Sequence, residues 1–256
     1  VQRVLVTGGS GFIGRHVIAA LRQRGDAVIV LSRDPRRAAR LLGPGIEIID
    51  SLDVLPDSAQ IDAIVNLAGA TIIGLPWTAA RRQVLRESRL RTTRAILALC
   101  ARLARRPSVL VNASATGYYG FGGDGPLDED AASQPIFPSQ LCKDWELTAR
   151  EAAGLGLRVV QLRFGIVLGR DGGALPPLVL PARLGLGTVL GTGRQPMPWL
   201  HLDDAVGLLL FALDTLTLDG AVNAVAPETT TQGDFTRALG RVLRRPVWLR
   251  VPGFVL

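Results

Sequence analysis

The sequence predicts an α/β fold: a doubly wound parallel sheet followed by a small C-terminal lobe. The chain begins with an apolar segment, a glycine-rich turn and an amphipathic stretch, which is the order of a strand, a tight turn and a helix. Apolar and amphipathic segments then alternate through most of the 256 residues. Strands that are joined by helices need right-handed crossovers. The alternation therefore favours a parallel sheet whose ligand sites lie at the carboxyl ends of its strands.

The glycine-rich turn is typical of a dinucleotide phosphate site. Gly8, Gly11 and Gly14 are spaced G-x-x-G-x-x-G, and Gly9 fits the related spacing G-x-G-x-x-G. Glycine permits the tight turn and the close approach of the backbone to a pyrophosphate, and the N-terminus of the following helix attracts negative charge. We therefore expect a Rossmann-type nucleotide-binding unit.

Hydrophobic periodicity places the other elements. We predict strands at 27–31, 46–49, 63–67, 109–112, 158–163 and 222–225, and helices at 13–24, 78–103, 140–153 and 232–243. We expect residues 1–170 to form the nucleotide-binding domain and residues 171–245 to form a substrate lobe interleaved with the last elements of the sheet. Residues 246–256 would begin a truncated C-terminal segment.

The residues after the second strand indicate which dinucleotide binds. A carboxylate at this point holds the ribose hydroxyls of NAD, whereas an arginine nearby accommodates the 2′-phosphate of NADP. Ser32 takes the place of the carboxylate, and Arg33 follows it. A hydroxyl and a guanidinium bind a phosphate dianion through charge-assisted hydrogen bonds, so the sequence favours NADP. Asp34 keeps NAD open, and Arg33 could equally be one of several solvated arginines.

The positive charge of the chain does not by itself indicate a nucleic-acid partner. The formal net charge is +7 and the pI is near 10.7, but the arginines are dispersed along predicted helices. Aromatic residues, on which bases would stack, make up only 5% of the chain. We expect no nucleic-acid partner, and we interpret the charge as solvated helix faces that also attract an anionic cofactor.

Cysteine content and the longest apolar region bear on location. Cys100 and Cys142 are the only cysteines, which indicates reduced thiols and a cytoplasmic protein. The apolar region 175–190 contains three prolines and Arg183, so it is not expected to cross a membrane. We expect a soluble protein without a metal site.

Five motifs of the sequence are similar to those of one enzyme family. They are TGGSGFIG at the first turn, VNLAG after the fourth strand, NASATGYYG after the fifth strand, the run LRFGIVLG, and PWLHLDD. With these motifs the chain resembles the extended short-chain dehydrogenases/reductases of the NAD(P)-dependent epimerase/dehydratase family. It is similar in particular to an atypical epimerase-like subfamily that binds NADP, has no settled substrate and carries a C-terminal domain of unknown function.

The resemblance implies roles for the matching residues. The implied cofactor-binding residues are Gly8, Gly11, Phe12, Ile13 and Gly14 in the cradle, Ser32 and Arg33 at the 2′-phosphate, Leu67, Ala68 and Gly69 beside the adenosine and ribose, and also Arg89, Lys143 and Ile166. Ser114 matches the catalytic serine, whose hydroxyl bonds a substrate carbonyl or hydroxyl. Serine after a buried strand is also a common turn residue, so this alternative stays open.

The family's catalytic tyrosine is missing from its expected position. Where the family has Y-x-x-x-K, this chain has Ser139 and Lys143. Lys143 is the only lysine among 29 basic residues, which favours a specific task for its ammonium group, such as bonding the nicotinamide ribose, over a solvated surface lysine. A phenol, whose ordinary pKa is about 10, can be made a general base by neighbouring cations, but a serine hydroxyl cannot readily take that part.

Three explanations of the missing phenol are open. Tyr118 or Tyr119 could supply a phenol from the loop after the fifth strand, and Tyr119 is the better acid candidate. His201 could act as an acid or a base, but a structural role is favoured, in which it orders the start of the helix beside Asp203 and Asp204. The third explanation is that the protein binds NADP without chemistry.

Two classes of function follow. The first is an NADP-dependent oxidoreductase or epimerase that acts on a small polar molecule such as a nucleotide sugar. The second is a cofactor-binding regulatory or structural protein, for which Ser139 is the main argument. In either class we expect a homodimer.

Overall fold

The computed structural model describes residues 1–72, 76–121 and 125–251. Its strands within these ranges are β1 (Arg3–Thr7), β2 (Ala27–Leu31), β3 (Glu47–Ile49), β4 (Ala63–Asn66), β5 (Val109–Ala115), β6 (Arg158–Phe164), β7 (Ile166–Gly169), β8 (Gly172–Gly173), β9 (Thr188–Leu190), β10 (Trp199–His201), β11 (Gly220–Ala224) and β12 (Leu249–Val251). Its α-helices are α1 (Phe12–Gln23), α2 (Pro35–Leu42), α3 (Ala79–Arg102), α4 (Phe137–Arg150), α5 (Leu175–Arg183), α6 (Leu202–Asp214) and α7 (Gln232–Leu243). Short 3₁₀ helices lie at Leu52–Val54, Thr116–Tyr119 and Glu151–Leu155.

A sheet of seven strands carries the fold in the described part of the chain. Its order is β11-β6-β5-β4-β1-β2-β3, so the chain reverses its direction across the sheet between β1 and β4. The pairs β1–β2, β1–β4, β2–β3 and β4–β5 are parallel. This is the expected Rossmann-type α/β architecture, which confirms the predicted fold class.

The central strands contain continuous apolar runs because helices cover both faces of the sheet. In β1, Val4, Leu5 and Val6 have no exposed surface. One face of the sheet packs with α3 into a cluster that contains Leu5, Ile64 and Leu99. Burying residues of this size contributes roughly 1.5–3 kcal/mol each, so this core fixes the strands whose carboxyl ends carry the candidate site.

Two predicted boundaries were wrong at positions that matter for the site. β5 was predicted to end at Asn112, but it continues to Ala115, so Ser114 lies inside the strand rather than after it. Small polar residues resemble a turn, yet this strand tolerates them because neighbouring side chains satisfy their hydrogen bonds. α4 was predicted to begin at Gln140 and begins at Phe137. Pro138 is compatible with the first turn, where no backbone donor is needed.

The described chain divides into two compact units. The first comprises Val1–Arg163 with Val206–Asn223, and the second comprises Phe164–Ala205 with the described residues from Ala224 onward. Within the second unit, β7 pairs with β10 in parallel and with β8 in antiparallel orientation, and β9 pairs with β12 in parallel. The last residues of the predicted C-terminal segment, 252–256, lie outside the described residues.

Candidate functional site

The turn between β1 and α1 forms a close-packed cradle. Gly8 has a φ of +70°, and a Cβ atom on it would lie 2.5 Å from the carbonyl oxygen of Leu67. A Cβ atom on Gly14 would collide with the carbonyl oxygen of Gly8. The backbone N–H of Gly11 donates to that same oxygen at 2.9 Å. Only glycine fits Gly8 and Gly14, and the resulting turn brings bare backbone to the carboxyl edge of the sheet.

The first turn of α1 suits an anionic group. Gly11 is the N-cap and makes no side-chain cap, and the first turn contains no acidic residue. The free N–H groups and the helix dipole therefore face outward with positive polarity. Phe12 and Ile13 begin the helix and are half-buried. The cradle thus fits the pyrophosphate of a dinucleotide on its own geometry.

Ser32, Arg33 and Asp34 follow β2, and the carboxylate of Asp34 already caps α2. The Oγ atom of Ser32 donates to the carbonyl of Asp34 at 3.1 Å, and Arg33 is exposed. The carboxylate of Asp34 accepts from the backbone N–H of Arg37 at 2.9 Å and caps α2. Asp34 therefore has a structural task at a helix N-terminus, and the Ser32 hydroxyl is bonded to backbone, which leaves Arg33 as the available side chain at this strand end.

The segment after β4 forms the next wall of the edge. The backbone N–H of Leu67 donates to the carbonyl of Thr7 at 3.1 Å, and that of Ala68 donates to the Thr7 hydroxyl at 3.3 Å. A Cβ atom on Gly69 would lie 3.0 Å from the guanidinium carbon of Arg89. The three predicted residues Leu67, Ala68 and Gly69 are thus fixed beside the cradle, with Arg89 against the last of them.

Arg89 reaches this wall from α3. Its Nη1 atom donates to the carbonyl of Leu85 at 2.9 Å and to that of Ala70 at 3.3 Å, and its guanidinium lies 5.0 Å from the centre of the Trp145 ring. The residue is buried, and this burial lowers the pKa of Arg89 below its ordinary value. The remaining donors of the guanidinium lie at the same edge as the cradle's wall and could hold an anionic or polar ligand.

Ser139 and Lys143, which the resemblance aligns with Y-x-x-x-K, lie one helical turn apart on α4. Ser139 has no exposed surface, and its Oγ atom donates to the carbonyl of Gly117 at 3.0 Å. Lys143 is exposed. The hydroxyl of Ser139 is therefore tied to backbone, whereas the ammonium of Lys143 is available to a ligand.

Ser114 is joined to a buried ion pair. Its Oγ atom lies 2.5 Å from Oε1 of Glu146, which belongs to α4. Arg163 of β6 binds the same carboxylate with two atoms: Nε lies 2.9 Å from Oε1, and Nη2 lies 2.8 Å from Oε2. The side chains of Arg163 and Glu146 are 4% and 8% exposed. A bidentate pair this deeply buried keeps both partners charged.

Arg163 also holds both tyrosines of the region. Its guanidinium carbon lies 3.5 Å from the centre of the Tyr118 ring, and Nη1 donates to the hydroxyl of Tyr119 at 2.9 Å. The Tyr119 hydroxyl donates in turn to Oδ1 of Asn223 at 2.7 Å. Burial opposes the charge of Arg163, but the hydrogen bonds to Glu146 and Tyr119 outweigh it and raise the pKa of Arg163 above its ordinary value.

Two predicted residues belong to the second unit. The Nδ1 atom of His201 accepts from the backbone N–H of Asp203 at 3.2 Å, so His201 helps to begin α6, as the structural interpretation of the sequence expected. Ile166 begins β7, opposite Trp199, and its backbone N–H donates to the carbonyl of Pro198 at 2.8 Å.

Sequence reasoning missed Glu146 and the full role of Arg163. Glu146 follows Ser139 by seven residues, which is two helical turns, so the pattern alone could have placed it on the inner face of α4. An acid on a helix usually indicates a solvated face, and the arginine that pairs with it comes from a strand 17 residues further on. Their pairing depends on how α4 packs against the sheet.

Two other kinds of site are absent from the described part of the chain. Residues 1–72, 76–121 and 125–251 contain no helix with the length and apolar character needed to cross a membrane. Within the same ranges, no three His, Cys, Asp or Glu side chains are grouped so that they could hold a metal ion. Both cysteines, Cys100 and Cys142, are free thiols and buried.

Comparisons with known proteins identify the family. Residues 4–224 match the model of the NAD dependent epimerase/dehydratase family. The chain is 37% identical over 259 residues to the chloroplastic epimerase family protein SDR39U1 homolog of Arabidopsis thaliana, covering 99% of this chain and 74% of that protein. It is 39% identical over 261 residues to epimerase family protein SDR39U1 of Bos taurus, covering 100% of this chain and 85% of that protein.

A solved structure is similar over nearly the whole chain. The crystal structure of the human epimerase family protein SDR39U1 with NADPH has a TM-score of 0.88 and 36% identity, and the match covers 99% of this chain and 84% of that one. The family model, the relatives and the sheet order agree with one another. The chain belongs to the NAD dependent epimerase/dehydratase family.

Proposed function

We propose that the protein binds NADP(H) and catalyses an oxidoreduction or epimerisation of a small polar substrate, such as a nucleotide sugar. The observation that carries this proposal is the cradle at Gly8, Gly11 and Gly14, where bare backbone and an uncapped helix N-terminus lie at the carboxyl edge of the sheet. Such a cradle serves to hold a pyrophosphate.

NADP rather than NAD is supported by the end of β2. Arg33 provides an exposed cation for a 2′-phosphate, and Asp34 is committed to capping α2. Ser32 would donate its hydroxyl to the phosphate by exchanging its bond to the carbonyl of Asp34. The similar human protein was crystallised with NADPH. A charge-assisted hydrogen bond contributes roughly 1.5–3 kcal/mol, so one or two such bonds suffice for a clear preference.

We assign a separate role to each residue of the proposed nicotinamide site. When bound, the nicotinamide supplies hydride acceptance and donation at its C4. Lys143 would bond the ribose hydroxyls, Arg89 and Ile166 would contact the cofactor, and Ser114 would bond the reacting oxygen of the substrate. Tyr119 remains a candidate acid, although Arg163 and Asn223 already bond its hydroxyl.

A second candidate function is a non-catalytic, NADP(H)-binding regulatory or structural role. The observation that favours it is Ser139, which by the resemblance stands where the family has its catalytic tyrosine and whose hydroxyl is bonded to the carbonyl of Gly117.

We also propose a cytoplasmic location and a homodimer, whichever of the two functions holds. Sedimentation velocity at micromolar concentration tests the homodimer.

Hydride exchange distinguishes the two candidates. The protein is incubated with NADP⁺ and with UDP-glucose, or a related nucleotide sugar, that carries deuterium on its carbinol carbons, and mass spectrometry follows the label. A catalytic protein moves deuterium from the sugar to C4 of the nicotinamide, with one C4 face used. Ser114→Ala is expected to abolish the transfer while the cofactor still binds. Saturating NADP⁺ without any transfer would contradict the enzymatic proposal and leave the regulatory one.

A further inference from the structure

The buried contact between Ser114 and Glu146 determines which way the serine hydroxyl faces. Arg163 bonds both oxygens of Glu146, so the carboxylate is ionised and carries no hydrogen. The hydrogen in the 2.5 Å contact must therefore belong to Ser114. Because a serine hydroxyl has one hydrogen, Ser114 has none left to donate, and its oxygen can bind a ligand only as an acceptor.

This polarity favours one of the two bonds that the resemblance implies for Ser114, the bond to a substrate hydroxyl rather than to a carbonyl. A serine that donates to a substrate carbonyl would need its hydrogen free. Ser114 instead matches a substrate group that donates a hydrogen, which is a hydroxyl. The carboxylate behind it cannot turn away, because Arg163 holds its two oxygens and Gln161 donates to the backbone carbonyl of Glu146 at 2.6 Å.

Resting on the proposed function, we propose that Ser114 and Glu146 together accept the substrate proton in place of the missing tyrosine. Ser114 is the residue that contacts the substrate, and Glu146 receives the proton that Ser114 gives up. This assignment leaves Ser139 outside the chemistry, which agrees with its bond to the carbonyl of Gly117. It also leaves Tyr119 as support for Arg163.

The proposed step conserves atoms and charge. As the substrate alcohol is oxidised to a carbonyl, with the oxidised nicotinamide dinucleotide as the hydride acceptor, the hydroxyl proton of the substrate moves to Oγ of Ser114. The original proton of Ser114 moves at the same time to Oε1 of Glu146. Concerted transfer avoids a free serine alkoxide, which neutral water would not permit. Arg163 restores the ionised carboxylate when the proton is returned in the reverse half of the reaction.

The groups that face this pair are few. Arg163 and its partner Tyr119 lie on one side, and the Cys142 thiol lies close to Ser114 on α4, where burial raises the pKa of the thiol and keeps it protonated. Lys143 is on the same helix but exposed. Glu146 is therefore the acceptor towards which the Ser114 proton is directed.

Proton NMR tests the geometry without any substrate. A short hydrogen bond to a carboxylate gives a slowly exchanging hydroxyl resonance at low field. We expect this resonance in the wild type and expect it to be lost in Ser114→Ala and in Glu146→Gln. Ser139→Ala is the matched control, because it removes a buried hydroxyl that bonds a backbone carbonyl instead, and the resonance should persist. A wild type without it, or a resonance that survives Ser114→Ala, overturns the proposal.

Kinetics test the proton transfer. With NADP⁺ and the deuterated UDP-glucose of the exchange assay above, Glu146→Gln should lower the exchange rate by the ~10²–10⁴-fold of lost acid–base catalysis, with unchanged affinity for the cofactor. Glu146→Asp should restore part of the rate, and the exposed Glu151→Gln should have no effect. Exchange that survives Glu146→Gln, or no exchange in a wild type that binds NADPH, overturns the relay. Failure of the wild type to bind NADPH overturns the proposed function itself.

Discussion

Lys143 is a residue for which we propose a role in cofactor binding and none in folding. Lys143 is exposed on α4, one helical turn from the fully buried Ser139. Its ammonium group therefore stays hydrated in the unliganded protein, and folding carries no desolvation cost at this position. The surrounding chain uses arginine for every other cation. A compact, flexible ammonium suits the vicinal hydroxyls of a ribose better than a planar guanidinium does.

Lys143→Met should therefore leave the thermal midpoint of the unliganded protein nearly unchanged and reduce the stabilisation that added NADPH provides. A ligand that binds only the folded state stabilises it in proportion to the logarithm of its affinity, so the loss appears as a smaller shift of the midpoint. Differential scanning fluorimetry at several NADPH concentrations measures it. Arg91→Met, which removes an exposed cation from α3, is the control. Unfolding of the unliganded variant with intact NADPH stabilisation would make Lys143 a structural residue.

At the scale of single residues, the sequence was enough to propose part of the candidate site. The glycine turn, Ser32 and Arg33 could be proposed because they follow strands, and strand ends are readable from hydrophobic periodicity. Ser114 was proposed from its match to a family motif, and it lies inside β5. Glu146 could not be found in the same way. Its role depends on a contact with Arg163, and that contact exists only because α4 packs over β6.

The turn between β1 and α1 is an element whose shape depends on two glycines. Gly14 is buried in the first turn of α1, where an added methyl group would meet the backbone carbonyl of Gly8 rather than a movable side chain. The cradle and the helix would have to separate to accept it. The same displacement would move the N–H groups that are proposed to hold the pyrophosphate.

Gly14→Ala should weaken NADPH binding by at least tenfold and destabilise the protein by about 1–3 kcal/mol, the usual cost of overpacking. Urea unfolding and calorimetric titration measure the two effects. Gly154→Ala is the matched control, because a Cβ atom on Gly154 meets nothing within 4 Å. A Gly14→Ala variant with wild-type affinity would show that the cradle does not carry the cofactor.

The C-terminal end of α6 depends on one arginine from β6. The two Nη atoms of Arg158 donate to the carbonyls of Ala212, Leu213 and Leu218 at 2.8–2.9 Å. The first two are carbonyls that a helix end leaves without partners. Burial lowers the pKa of Arg158 below its ordinary value, but the carbonyl dipoles keep the guanidinium well bonded.

Arg158→Met should destabilise the protein by about 2–4 kcal/mol, because three carbonyls lose charge-assisted donors at once while the aliphatic packing is kept. Chemical denaturation gives the change in unfolding free energy. NADPH affinity should stay at the wild-type value, since Arg158 lies at the amino end of β6, away from the carboxyl edge. A loss of affinity equal to that of Gly14→Ala would contradict the placement of the cofactor at that edge.

At the scale of the whole molecule, alternation of strands and helices was enough to predict the sheet. The long helix predicted at 78–103 is observed as Ala79–Arg102. A helical pattern that extends over many turns can be recognised even where its exact first and last residues cannot. β8 and β9, with two and three residues, were missed because segments so short carry no period. The short strands of the second unit are therefore determined more by tertiary packing than by the local sequence pattern.

The net charge of the molecule favours the more highly charged dinucleotide. A formal charge of +7 attracts any anionic dinucleotide, and the 2′-phosphate gives NADPH more negative charge than NADH. We expect most of the discrimination to come from local contacts with the 2′-phosphate. Low salt should raise both affinities, and that for NADPH more than that for NADH.

Calorimetric titration of NADPH and NADH into the wild type and into Arg33→Ala tests the central claim most directly. We expect NADPH to bind at least tenfold more tightly than NADH, a difference of about 1.4 kcal/mol or more, and we expect Arg33→Ala to remove most of that preference with little effect on NADH. Arg91→Ala, at an exposed position on α3, should keep it. Equal affinities in the wild type, or an unchanged preference in Arg33→Ala, would contradict the assignment of the end of β2 as the 2′-phosphate site.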